Sequence, residues 1–184
     1  MSTNEFSSGS EELRRLSTFM RVAVVGTGAF CATVLVWLWA SPMAVQTILA
    51  PRLDLGAVPV ALDALTRLAG FTISLVPMSV LFYLLFQVDR LFAGYRQGQI
   101  FTQEPPLRLS RIGLALLTLA VLRPATATLL GVVLTASNVP GERILAIGIA
   151  IEDVMLIVFS GLILAIGQVM AEGQRLADDH RQII

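Results

Sequence analysis

The stretch VAVVGTGAFCATVLVWLWA, residues 22–40, decides the class of fold. It has no charged side chain, and the charge-free interval around it extends from Arg21 to Arg52. About 20 apolar residues, at a rise of about 1.5 Å each, cross a hydrocarbon core of about 30 Å as one helix. The stretch therefore predicts a first transmembrane helix.

Three later stretches share this apolar pattern, and the last two of them each contain one charged interruption. They are residues 68–88, residues 112–136 with Arg123-Pro124, and residues 144–171 with Glu152-Asp153. Each stretch is long enough to cross a bilayer. The sequence predicts an all-α integral membrane protein with four transmembrane helices, in one domain over residues 13–184. The polar residues 1–12, MSTNEFSSGSEE, predict a disordered N-terminus.

The composition excludes several classes of function. Of the 184 residues, 55% are apolar and 14% charged, with a mean hydropathy of +0.78, whereas a soluble domain has about 25% charged residues. A net charge of zero provides no basic surface for direct nucleic-acid binding. One Cys and one His cannot form a disulfide within the chain or a Cys/His zinc site. We therefore predict no metal site, no cofactor and no catalytic residues, and we expect the protein not to be an enzyme.

The first apolar stretch has an alternative interpretation as a secretory signal peptide, because arginines precede it. However, it is longer than the 7–15 apolar residues of a signal peptide, and Leu38 is bulky where a cleavage site needs a small residue. We expect the stretch to be retained as a membrane anchor.

The arginines predict the orientation. Four helices place nine arginines on one side of the membrane and three on the other, and the thirteenth is Arg123. The nine are Arg14, Arg15, Arg21, Arg90, Arg96, Arg108, Arg111, Arg175 and Arg181, and the three are Arg52, Arg67 and Arg143. Short loops rich in arginine stay in the cytoplasm. Both termini are therefore predicted to be cytoplasmic, and Trp37 and Trp39 are predicted to lie at the outer membrane interface.

A sequence motif lies in the middle loop, which we define as residues 89–111, and continues into the third helix. It runs Arg96-Gln97-Gly98-Gln99-Ile100-Phe101-Thr102, then Pro105, then Leu107-Arg108-Leu109-Ser110-Arg111-Ile112-Gly113. The motif resembles the R-x-G-x-x-F-T and L-R-x-I-G stretch of a family of small bacterial membrane proteins, catalogued as domain of unknown function 2975. Residues 173–179, GQRLADD, resemble the family's closing G-x-x-L-x-x-D/E segment. The resemblance covers Phe71 to the end of the chain.

This resemblance implies four helices in the cytoplasmic (inner) membrane of a bacterium and no established activity. Members of the family lie beside small helix-turn-helix regulators, which implies a regulatory partner. Gly98, Phe101, Thr102 and Arg108 are then candidate residues for docking a cytoplasmic partner. The alternative is a structural turn, in which Gly94 and Gly98 reverse the chain and Thr102 caps the third helix. Phosphate binding is disfavoured, because lysine and the Walker spacing are absent.

The charged residues inside the apolar stretches are the second candidate site. Arg123 lies near mid-membrane by its spacing from Ile112, and there it is expected to face the protein or water. Asp153 shares a helix face with small residues, whereas Glu152 shares one with large apolar residues, so Asp153 is the preferred partner. We expect Asp153 to lie about 10 Å nearer the outer surface, so that the arginine reaches outward.

The candidate site has three interpretations. Arg123 and Asp153 form a structural ion pair, or they belong to a proton or ion path, or the acidic residues lie at the outer interface while Arg123 contacts carbonyls freed by Pro124. A polar stripe on the second helix either lines a wet cavity beside Arg123 or joins helices through hydrogen bonds. This stripe consists of Thr72, Ser79, Tyr83 and Gln87.

Two functional classes remain open besides the disfavoured membrane enzyme. The first is a regulatory or scaffolding subunit that engages a cytoplasmic regulator through the middle loop and the tail. The alternative is a small oligomeric transporter or channel that uses the Arg123 and Asp153 pair. The predicted partners are the lipid bilayer and either a cytoplasmic regulator or further copies of the chain.

Overall fold

Four long helices dominate the computed structural model, which describes residues 3–53, 55, 60, 62–96, 104–136, 138, 148 and 150–181. They are α1 (Thr3–Ala40), α4 (Ala64–Arg96), α5 (Glu104–Thr135) and α6 (Ile151–Arg181). Within them, the segments long and apolar enough to cross a membrane are Thr18–Ala40, Ala64–Gly94, Pro106–Thr135 and Ile151–Leu176. The described residues contain helices as their only regular elements. The all-helical fold with four long apolar helices is thus confirmed.

The helix bounds differ from the sequence-based ones in three places. α1 already begins at Thr3, so the polar residues expected to be disordered extend an existing helix, which adds residues without a new nucleation cost. α5 begins at Glu104, where prolines in the first turn need no amide partner. α6 begins at Ile151 instead of residue 144, and Gly148 and Ala150 lie outside any helix. The neighbouring residues 139–147 and 149 lie outside the described part.

A short helical segment follows α1. It consists of α2 (Pro42–Ala44), a π-helical turn (Val45–Leu49) and α3 (Ala50–Arg52). Together with the buried Leu53 and Leu55, we call it the cap segment, residues 42–55. Its buried side chains show that this proline-containing connection is folded.

The chain divides into two compact units. The charged unit comprises Met1–Gly28, Phe82–Leu117 and Val158–Ile184, and the cap unit comprises Ala29–Leu81 and Thr118–Ile157. All nine arginines that were assigned to the cytoplasmic side belong to the charged unit.

An apolar cluster forms the core of the cap unit. It joins the end of α1, the cap segment and the last turns of α5. Its buried members are Leu35, Trp39, Val45, Ala50, Leu53, Leu55, Leu130 and Leu134. Val45, Leu55 and Leu134 are completely buried, so the cap segment is held by burial of apolar side chains.

Small residues bring the helices of the charged unit together. A Cβ atom added at Gly28 of α1 would lie 3.5 Å from Phe82 of α4. A Cβ atom at Gly113 of α5 would lie 2.7 Å from Cγ of Leu164 on α6. Such residues let helix backbones approach closely in apolar surroundings. The packing pairs α1 with α4 and α5 with α6.

Candidate functional site

The family motif is only partly described by the structure. Gly98, Phe101 and Thr102 lie outside the described residues, so their role stays a prediction. Arg108 lies near the start of α5 and is half-buried.

The second half of the motif has a packing role that sequence reasoning missed. Ile112 is buried, and Gly113 provides the space into which Leu164 of α6 packs. Ser110 donates a hydrogen bond to the carbonyl of Pro106 at 3.1 Å, and a Cβ atom at Gly167 would lie 3.0 Å from its Oγ. These motif residues therefore shape the close contact between α5 and α6. The small residues at 110, 113 and 167 were the signal for it.

Arg123 of α5 and Asp153 of α6 lie together in the cap unit. Nη1 of Arg123 is 3.2 Å from Oδ1 of Asp153. The Asp153 side chain is 6% exposed and that of Arg123 is 46% exposed. No N–H is aligned for a hydrogen bond to this buried oxygen, so the contact is a charge interaction without a directed hydrogen bond.

Asp153 also determines where α6 starts. Its Oδ2 accepts a hydrogen bond from the Ala150 amide at 3.0 Å, and the Asp153 amide donates to the Ala150 carbonyl at 3.0 Å. A side chain at the third helical position that binds the N-cap amide is half of a capping box. The first turn also favours a carboxylate through the helix dipole. Asp153 thus joins a helix start to Arg123.

Glu152 is separated from this pair. It is exposed, whereas Asp153, Ser160 and Gly167 are buried along one face of α6. The structure therefore brings Arg123 and Asp153 together and leaves Glu152 on the outer surface of the helix.

The depth of the two residues relative to the membrane stays a prediction. α5 continues 12 residues beyond Arg123, about 18 Å, and α6 starts two residues before Asp153. The observed start of α6 at Ile151 therefore places Asp153 in the first turn of its helix.

The four residues of the polar stripe on α4 differ in their exposure. Thr72 and Ser79 are exposed, and their hydroxyls donate to carbonyls of their own helix, at Leu68 (2.9 Å) and Val76 (2.7 Å). Tyr83 is exposed as well, but Gln87 is buried. These positions therefore give no support to a wet cavity beside Arg123.

A second arginine contact at a helix end was missed. Arg67 of α4 donates from Nε to the Trp39 carbonyl at 2.9 Å and from Nη2 to the Ala40 carbonyl at 2.8 Å. The last carbonyls of a helix have no partner within it, and a cation there also favours the dipole. Arg67 thus caps the end of α1, whereas the sequence indicated only that it contributes to the orientation of the chain in the membrane. A small-residue spacing at Gly70 and Ser74 was the clue to a close approach.

Trp39 lies buried at this junction. It is 4% exposed, whereas Trp37 is 51% exposed, and the placement of the two rings at the outer membrane interface stays a prediction. Nε1 of Trp39 donates to Oγ of Ser74 at 3.2 Å, and the ring occupies the space left by Gly70. Burial of the ring explains why the indole N–H needs this partner.

Asp63 precedes α4 and caps it. Its Oδ1 accepts hydrogen bonds from the Thr66 hydroxyl and from the Thr66 amide, the latter at 3.4 Å. The Thr66 hydroxyl stabilises the ionised carboxylate and thereby lowers the pKa of Asp63 from its usual value.

Charged residues of the charged unit lie near the ends of the apolar helices. Nε of Arg21 is 3.3 Å from Oδ1 of Asp89, which joins α1 to α4. The guanidinium of Arg90 lies over the Phe86 ring at 5.1 Å from its centre. Arg175 contacts Glu172 of the same helix at 3.9 Å.

Among the described residues, no three His, Cys, Asp or Glu side chains are grouped to hold a metal ion.

Comparison with known proteins agrees with the motif. The family model described as Protein of unknown function (DUF2975) matches residues 11–184. This confirms the resemblance and extends it from Phe71 toward the N-terminus. Neither the curated proteins nor the solved structures include a match to the chain.

Proposed function

The chain belongs to this family of unknown function, and from that premise we propose that it is a regulatory or scaffolding subunit without enzymatic activity. In this proposal it crosses the cytoplasmic (inner) membrane of a bacterium four times. Both termini and the middle loop face the cytoplasm, where the loop and the tail engage a protein partner.

The charge distribution along the helices carries this proposal. In α1, Arg14, Arg15 and Arg21 all precede residues 22–40, which contain no charged side chain. In α6, Arg175 and Arg181 lie near the end of the helix. These charged ends of α1 and α6 belong to the charged unit.

Charge supports the same orientation. The charged unit contains nine of the 13 arginines, and arginine-rich short segments favour the cytoplasmic side. These charged helix ends offer polar positions to a soluble partner. The family motif begins at Arg96, the last residue of α4, and continues into α5.

The contacts of the Arg123 and Asp153 pair support a structural role for it. One carboxylate oxygen of Asp153 accepts a hydrogen bond from the Ala150 amide at the start of α6, and the other oxygen contacts Arg123. If the pair broke, the start of α6 would lose one of its contacts. An ion-transport site must bind and release its ion repeatedly, so a carboxylate that also holds a helix start is poorly suited to that role. The pair therefore favours a scaffold over a transporter.

Purification from native membranes tests the proposal. A stoichiometric soluble partner is expected to co-purify with the intact chain and to be lost with Phe101→Ala or Thr102→Ala. The matched control is Met43→Ala in the cap segment, since Met43 is 76% exposed. Equal recovery of the partner with all three variants would contradict the role of the motif. An Arg123-dependent ion flux in reconstituted vesicles, without any partner, would replace the proposal by the transporter alternative.

A further inference from the structure

We propose that the charged unit binds an anionic phospholipid at Arg21, which contacts Asp89, and at Arg90, the next residue along α4. The inference rests on the proposed membrane placement and adds a specific ligand site to it. Its three parts are the two guanidinium groups, the Asp89 carboxylate beside Arg21 and an apolar surface that continues from both arginines.

Arg21 provides the first half of the headgroup site. Its contact with Asp89 runs through Nε at 3.3 Å, and no N–H is aligned for a hydrogen bond to that oxygen. The Arg21 side chain is 62% exposed, whereas that of Asp89 is 24% exposed. Asp89 thus positions the guanidinium while most of the planar fork of donors faces outward, as a phosphate needs.

Arg90 provides the second half. Its guanidinium carbon lies 5.1 Å from the centre of the Phe86 ring, within the range of a cation–π interaction. Arg90 directly follows Asp89 in α4 and is itself exposed. Arg21, Asp89 and Arg90 together carry one net positive charge, which matches the single negative charge of a phosphodiester headgroup.

An apolar surface continues from each arginine along its own helix. On α4, Phe86 and Phe82 lie one and two turns before Arg90 and are 51% and 40% exposed. On α1, Val25 lies one turn after Arg21 and is 64% exposed. Since α1 and α4 run antiparallel here, both surfaces continue from the charges toward the apolar part of the helices.

The two surfaces are adjacent. Gly28 of α1 packs against Phe82 of α4, so the exposed phenylalanines border the exposed valine on the neighbouring helix. A paired cationic site with such an apolar border fits a ligand with an anionic head and acyl chains. A free phosphate would use the arginines alone.

Native mass spectrometry of the full chain, released from detergent with added lipid, tests this inference. Phosphatidylglycerol is expected to bind more tightly than phosphatidylcholine with identical acyl chains. One arginine near an anionic lipid raises the affinity about fivefold. R21Q or R90Q should therefore each weaken phosphatidylglycerol binding about fivefold, and the double variant should weaken it about 25-fold. R175Q is the matched control, because Arg175 is 74% exposed and forms its ion pair, within the described part of the chain, with Glu172 of the same helix. It should change binding by less than about twofold.

Two further measurements distinguish a lipid site from a site that binds phosphate alone. F82A/F86A retains both arginines, and it should weaken phosphatidylglycerol binding if the acyl chains use the proposed surface. Excess inorganic phosphate should not displace the lipid. The inference is overturned by equal binding of the two lipids, by an R175Q effect as large as that of R90Q, or by displacement with phosphate.

The proposed membrane placement is tested separately by carbonate extraction of native membranes. Release of the protein by carbonate would overturn the proposed function itself. Retention in the membrane without a preference for phosphatidylglycerol would overturn only the lipid site.

Discussion

Arginine has different neighbours in the two units of this protein. In the cap unit, Arg67 and Arg123 each reach the end of a second helix, one through two carbonyls and the other through Asp153. In the charged unit, Arg21 remains 62% exposed beside Asp89, and Arg90 is exposed beside the Phe86 ring. The contrast separates arginines that complete the fold from arginines that remain available to a ligand.

The apolar packing of the two units differs as well. The cap unit has a buried apolar cluster around Trp39 and Leu134, whereas helices of the charged unit approach closely at Gly28 and Gly113. We therefore expect substitution of Arg67 or Arg123 to reduce stability, and substitution of Arg21 or Arg90 to reduce lipid binding.

The largest expected loss of stability follows from breaking the Arg123 and Asp153 pair. Arg123→Leu leaves a buried carboxylate without its cation and should lower the free energy of unfolding by about 3 kcal/mol, near the lower end for such pairs because Arg123 is half-exposed. Thermal unfolding in detergent micelles measures the loss.

A double variant sharpens this prediction. Asp153→Asn retains an oxygen for the Ala150 amide but removes the charge, so Arg123→Leu combined with Asp153→Asn should regain most of the lost stability. Glu152→Gln, on the exposed side of the helix, should remain within about 0.5 kcal/mol of wild type. Simple additivity of the two single losses would refute the pairing.

Glycine substitutions compare the packing of the two units. A methyl group at Gly70 would overlap the buried Trp39 ring, and Gly70→Ala should cost about 2 kcal/mol. Gly113→Ala, directed at Leu164, should cost somewhat less because a leucine side chain adjusts more easily. Gly26 has open space around it, so Gly26→Ala should be neutral or slightly stabilising. Equal losses at all three sites, measured by thermal unfolding, would contradict the packing described.

Removing the cap of α1 has a smaller expected effect. Arg67→Gln shortens the side chain and removes the charge from two hydrogen bonds, which should cost about 1.5 kcal/mol. Arg52→Gln is the control, since Arg52 is exposed at the end of α3. If the two variants unfold at the same temperature, Arg67 does not stabilise the end of α1.

The smallest expected effect concerns Asp63 and pH. Its pKa is lower in the folded protein because the Thr66 hydroxyl and amide favour the carboxylate. This contribution is complete above the unfolded pKa and disappears as pH falls through the folded pKa. Asp63→Ala should therefore speed hydrogen exchange of the Thr66 amide at neutral pH, with the difference from wild type vanishing in acid. A difference that persists unchanged in acid would show that the carboxylate charge is not involved.

The apolar stretches were sufficient to predict four helices, because their length and lack of charge are properties of the chain alone. The inward face of α6 was also readable, since small residues recur with Asp153. The start of α6 was not, because residues 144–150 are as apolar as the helix that follows and the capping contact with Ala150 appears only in three dimensions.

Arg67 shows a second limit of sequence reasoning. Its partners are backbone carbonyls of α1, 28 and 27 residues away along the chain, and a carbonyl has no sequence signature. Gly113 shows a third limit of sequence reasoning, because the role of a motif glycine can be to leave space for a side chain of another helix. Ile112 and Gly113, at the end of the family pattern, pack inside the fold, whereas Arg111 before them is exposed.

The orientation of the charged helix ends is the central claim, and cysteine labelling tests it most directly. The chain has a single native cysteine, so Cys31→Ser provides a clean background for Met43→Cys in the cap segment and Glu172→Cys near the end of α6. Both positions are exposed. In intact cells a membrane-impermeant maleimide should label Met43→Cys, whereas Glu172→Cys should react only after the membrane is permeabilised. Labelling of Glu172→Cys in intact cells, with Met43→Cys protected, would contradict the account.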